Sequence, residues 1–133
     1  MIDINYTGNN DHNTNALGYR AKEFSEVDWN NSYVIQGCSA VFGLGLPNDT
    51  DTVSECLSRK LNKPVINLGI SGSGIQPQYM NAVEMLEENI KPLGVFIVYP
   101  NIHRFSLMLD GCLENFGPWS ASGHNKKYAQ WMS

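Results

Sequence analysis

The chain has 133 residues, of which 42% are hydrophobic and 17% charged, with a formal net charge of −4. That length suits one small domain, and that balance suits a globular protein rather than a disordered or fibrous one. No lysine- or arginine-rich run offers electrostatic binding to nucleic acid, and no apolar run approaches the roughly 20 residues of a membrane span.

The opening "MIDINYTGNNDHN" is polar and lacks the basic and apolar regions of a signal peptide. Cys38, Cys56 and Cys112 are odd in number, widely spaced and without a CxxC pair. They suggest neither a disulfide framework nor a zinc site, and the expected compartment is the reducing cytoplasm. Residues 1–32 read as a polar, turn-rich arm laid over the domain. Within the arm, "NALGYRAKEF" (Asn15 to Phe24) carries enough apolar and aromatic residues to dock.

Residues 33–133 hold the domain itself. Tyr33 to Gln36 is short and β-branched, which favours a buried strand over a helix. A loop through Gly43, Gly45 and Pro47 follows. Thr52-Val-Ser-Glu55 then fits a capping box, in which a hydroxyl and a carboxylate satisfy free backbone donors. Val53, Cys56, Leu57 and Leu61 line one face of the predicted helix. "NKP" (Asn62 to Pro64) stops it.

Val65 to Leu68 is the second predicted strand, and "GISGSG" (Gly69 to Gly74) a tight loop after it. A second helix is expected near Pro77, with Tyr79, Ala82, Val83 and Leu86 turned inward. "KPLG" (Lys91 to Gly94) breaks it. "VFIVY" (Val95 to Tyr99) is the third strand and the most apolar run in the chain. Beyond Arg104 the periodicity is poor and predicts no clear strand.

Strand, helix, strand, helix, strand with continuously apolar strands means a parallel sheet covered by helices on both faces, here expected in the order 2-1-3. Right-handed crossovers place every strand C-terminus along one edge, where ligands of such sheets bind. Three loops should meet there: Gly37 to Gly45, Gly69 to Gly74, and Pro100 to Arg104.

In the first of these loops, Cys38 and Ser39 are both potential nucleophiles. They should point different ways at a strand end. No neighbouring basic residue is present to activate the Cys38 thiol, so it reads as buried packing. Ser39 alone could be no more than a turn former. The segment is not the G-x-S-x-G nucleophile elbow, because the fifth position is Val41. "GISGSG" has neither a dinucleotide fingerprint nor a Walker lysine.

"IQGCSAVFGLGLP" resembles the first block of the SGNH (GDSL-type) hydrolases, "VINLGISGSG" their second and "VFIVYPN" their third. The upstream "NALGYRAKEF" resembles a segment that precedes the first block in some bacterial and phage-borne members. The likeness spans roughly Asn15 to Arg104. It implies a three-layer α/β/α sandwich of flavodoxin-like character and a serine ester hydrolase needing neither metal nor cofactor. By position, Ser39 matches the nucleophile, whose own N–H is one oxyanion donor. Gly72 matches the second donor, through its N–H, and Asn101 the third, through its side-chain amide.

The chain departs from that pattern in three places. Cys38 stands where the first block usually has Asp. Pro100 and Ile102 flank Asn101 where the third block has Gly-x-Asn-Asp. The family's Asp-x-x-His block is absent, since none of His12, His103 and His124 has an Asp three residues earlier. His103 and His124 are the remaining candidates for the base. This chain is therefore expected to be a truncated member acting on a small ester or acylated substrate, able to self-associate through an uncovered sheet edge. The competing reading is a non-catalytic module whose glycine loops hold a small anion.

Overall fold

The computed structural model describes Met1 and residues 3–4, 12–109 and 111–118. Its centre is a three-stranded parallel sheet of order β2-β1-β3, made of β1 (Tyr33–Gly37), β2 (Val65–Gly69) and β3 (Gly94–Ile97). Val34 pairs with Ile66 on one side and Val95 on the other, while Ile35 pairs with Asn67 and Phe96. The β-branched runs of β1 and β2 are buried along their length, apart from the half-buried Tyr33.

Residues that share a register share a face in a parallel sheet, so the core divides in two. Val34, Ile66 and Leu68 pack with Met85 from α3 (Gln76–Glu87) and with Ile4, Tyr19 and Val27 of the arm. On the other face, Ile35 and Val65 pack with Val41 of α1 (Ser39–Phe42) and Leu57 of α2 (Val53–Leu61). The molecule is thus mixed α/β, with helices on opposite faces of a parallel sheet.

The helix signals act locally as the residues predict. Thr52 Oγ1 accepts from the Glu55 N–H at 3.4 Å, and Asn62 ends α2 in the left-handed region at φ 50°. The reciprocal half of the box is taken by backbone, because the Thr52 N–H donates to the Asp49 carbonyl. Pro77 lies in the first turn of α3.

The buried helix faces differ from the expected stripes. On α2, Val53 and Leu61 are exposed and Ser54 is buried, bonded to Thr52 and to Asn67 of β2. On α3, Tyr79 and Leu86 are 71% and 79% exposed, while Gln78, Asn81 and Met85 face inward. The reason is a partner distant in sequence: the Tyr19 hydroxyl, itself buried, donates to Asn81 Oδ1 at 2.9 Å. A buried amide oxygen with a partner costs less than an orphaned one.

Two further expectations are corrected. Among the described residues the expected helix cover of β3 is missing: Val95, Phe96 and Ile97 of this edge strand, and Val98 just beyond it, are exposed. The segment after Arg104 is not irregular but forms an antiparallel hairpin, β4 (Phe105–Leu109) and β5 (Cys112–Phe116). Phe105 and Phe116 stack across it at 4.8 Å between ring centroids. Gly111, at φ 78°, lies between the two strands in a conformation that favours glycine.

Candidate functional site

The strand ends bring three segments to one edge of the sheet. Gly37 is level with Gly69, Gln36 is level with Ile97, and all three strands run the same way. The Gly37 carbonyl accepts from Ile70 N–H, and the Gln36 carbonyl from Val98 N–H, so the pairing continues just past the strands. Ser39, Gly72 and Asn101 each follow within a few residues and therefore all belong to the C-terminal edge.

Ser39 opens α1 directly after Cys38. Its carbonyl accepts from both Gly43 and Leu44 N–H at 3.0 Å. Gly43 closes this single turn at φ 81°, a conformation that an L side chain resists. Ser39 is half-buried, and its Oγ has no hydrogen-bond partner among the described residues. Cys38 is a half-buried free thiol rather than buried packing, because it caps α1 after the strand has ended and no longer follows the strand's alternation.

Asn67 holds α1 against the sheet. Its Nδ2 donates to the Val41 carbonyl at 2.8 Å and to Ser54 Oγ at 3.2 Å, and its Oδ1 accepts from Gly69 N–H at 2.9 Å. Gly69 lets the backbones approach: a Cβ there would strike Phe42 N and lie 2.8 Å from Val41 C.

Gly72 sits at φ 78° in a turn that Ser73 N–H closes onto the Ile70 carbonyl at 3.3 Å. The hairpin braces this loop. Asn115 Nδ2 donates to the Ser71 carbonyl, Gly74 N–H donates to Ser106 Oγ at 2.9 Å, and Ser106 N–H donates to Gln76 Oε1. Gly74 is again a close approach, since a Cβ there would lie 2.6 Å from Phe105 Cα.

Asn101 is exposed in the loop after β3. Its Oδ1 accepts from His103 N–H at 3.0 Å and its carbonyl from Arg104 N–H at 2.9 Å, which leaves Nδ2 to face outside acceptors. His103 is exposed on this same loop. His124 lies outside the described residues.

Two residues given no role by the sequence reading stand close to α1. The His12 ring meets Phe42 edge-on at 5.5 Å, with its Nδ1 buried. It lines a cleft of about 370 Å³ with Arg20, Pro47 and Asp49. Arg20 reaches into the loop that follows α1.

Chemically, the edge offers an unengaged hydroxyl, a glycine N–H in a tight turn and an uncharged amide donor. No family model, curated protein or solved structure matches this chain. Among the described residues, no helix is long and apolar enough to cross a membrane.

Proposed function

We propose that this chain is an SGNH-type serine ester hydrolase built on a three-layer, flavodoxin-like α/β/α frame. The observation that carries the reading is the shared edge: Ser39, Gly72 and Asn101 each follow one of three parallel strands, in the order and spacing of the resemblance. In this reading Ser39 Oγ attacks an ester carbonyl and passes its proton to a base. The tetrahedral oxyanion takes hydrogen bonds from Ser39 N–H, Gly72 N–H and Asn101 Nδ2. The alcohol leaves with a proton, an acyl-serine remains, and water releases the acid. His103 is the candidate base among the described residues, and His124 is the other. The apolar edge at β3 supports self-association as a second property of the same chain.

The test is hydrolysis of p-nitrophenyl acetate and labelling by a fluorophosphonate, with Ser39→Ala, His103→Ala and His124→Ala alongside. Slow hydrolysis and labelling, both lost in Ser39→Ala, are expected. A serine site without its full triad keeps only about 10³–10⁴-fold acceleration over water. Hydrolysis indifferent to Ser39→Ala overturns the reading. Saturable binding of inorganic phosphate with no Ser39 labelling favours the anion-binding module instead.

A further inference from the structure

The arm holds the nucleophile turn through one buried side chain. The Arg20 side chain is 2% exposed. Its Nη1 donates to the Gly43 carbonyl at 2.7 Å, its Nη2 to the Leu46 carbonyl at 3.0 Å, and its Nε to Asp49 Oδ1 at 2.6 Å. The two carbonyls open and close one turn, because Leu46 N–H also donates to the Gly43 carbonyl at 3.0 Å. That turn begins where α1 ends, and the N–H groups of Gly43 and Leu44 both hold the Ser39 carbonyl. A continuous hydrogen-bonded path therefore runs from Arg20, through the Gly43 peptide, to the backbone of Ser39.

We propose that Arg20 is a positioning residue for Ser39, fixing its peptide through the turn that follows α1. The residue type fits the task. A planar guanidinium presents donors in three fixed directions, and three acceptors here occupy them; a lysine ammonium has no such fork. Charge-assisted bonds to carbonyls are also stronger than neutral ones, so the turn is held more tightly than its own backbone bond would hold it. Asn67 grips α1 from the β2 side, at the Val41 carbonyl, and Arg20 grips the turn at its C-terminal end. Between them α1 has little freedom to roll. A plain ion pair tying the arm to the loop would need only Asp49, so the two carbonyl bonds separate the two roles.

The chemical consequence rests on the hydrolase reading, but the geometry does not, and the experiment reads them separately. Amide hydrogen exchange is measured on the full chain for wild type, Arg20→Met, Arg20→Lys and Asp49→Asn. Arg20→Met should speed exchange at Gly43 and Leu44 by about tenfold or more relative to Ile35 and Leu68 within the sheet. Arg20→Lys should rescue it only in part, and it keeps the test available if the methionine variant does not fold. Asp49→Asn, which leaves both carbonyl acceptors in place, should stay near wild type. In fluorophosphonate labelling, Arg20→Met and Arg20→Lys should slow the covalent step by about tenfold or more with little change in the half-saturating concentration, as expected when a nucleophile is misplaced. The proposal is overturned if Gly43 and Leu44 exchange faster only in step with Ile35 and Leu68, or if Asp49→Asn behaves like Arg20→Met. Absence of labelling in wild type would instead refute the hydrolase reading, and the exchange pattern would still decide the clamp.

Discussion

Gly69→Ala tests whether α1, the turn that carries Ser39, is seated on β2 as described. The added Cβ would strike Phe42 N and lie 2.8 Å from Val41 C and 2.9 Å from Asn67 Oδ1. Two of these three are backbone atoms of α1, which cannot rotate away. Ordinary contact begins at 3.4 Å, so α1 must retreat by about 1 Å. Overpacking of this kind costs about 1–3 kcal/mol. The retreat also stretches the Asn67-to-Val41 hydrogen bond, worth about 1 kcal/mol more. A loss of about 3 kcal/mol is a large share of a typical 5–15 kcal/mol stability, and corresponds to a fall in Tm of about 10 °C. Gly45→Ala is the control. Gly45 has φ 84° but nothing within 4 Å of its Cβ, so the substitution costs only backbone strain of about 1–2 kcal/mol. Urea and thermal melts of both variants measure the difference, and fluorophosphonate labelling of Gly69→Ala should fall because α1 carries Ser39. If Gly69→Ala melts no lower than Gly45→Ala, α1 does not rest on β2 at this closeness and the reasoning fails.

Two other outcomes follow from the same geometry. Burial raises the Tyr19 phenol above its ordinary 10.0, with smaller upward contributions from Glu84 and Asp3 and a downward one from the Asn81 hydrogen bond. The folded state then holds a proton that the unfolded state releases, so Tyr19 stabilises fully below pH 10 and that stability is lost as pH rises beyond it; urea melts from pH 8 upward should show the decline, and it should disappear in Tyr19→Phe. Ile97→Lys places a charge on the exposed edge of β3, and sedimentation over a wide concentration range should show less association than wild type, whereas a wild type that stays monomeric throughout removes self-association from the reading.

The strands were legible because their evidence is local. Tyr33 to Gly37 and Val65 to Gly69 are short β-branched runs ended by glycine, and their register then follows from packing. Since parallel strands share one C-terminal edge, the placement of Ser39, Gly72 and Asn101 along that edge follows from the strand pattern. What was illegible depends on partners distant in the chain. Periodicity assigned Tyr79 and Leu86 to the interior, yet α3 turns Asn81 inward because the Tyr19 hydroxyl, 62 residues earlier, is there to meet it. Arg20 shows the same blindness more sharply. Two of its three acceptors are backbone carbonyls, which every residue possesses, so no side-chain complement announces them. Sequence patterns register side chains, whereas this site is held largely through peptide groups: Gly43 and Leu44 N–H on Ser39, Asn67 on Val41, Arg20 on Gly43 and Leu46. The strand pattern placed Ser39, Gly72 and Asn101 after successive parallel strands, but the hydrogen bonds that hold the Ser39 turn became visible only once the backbone was folded.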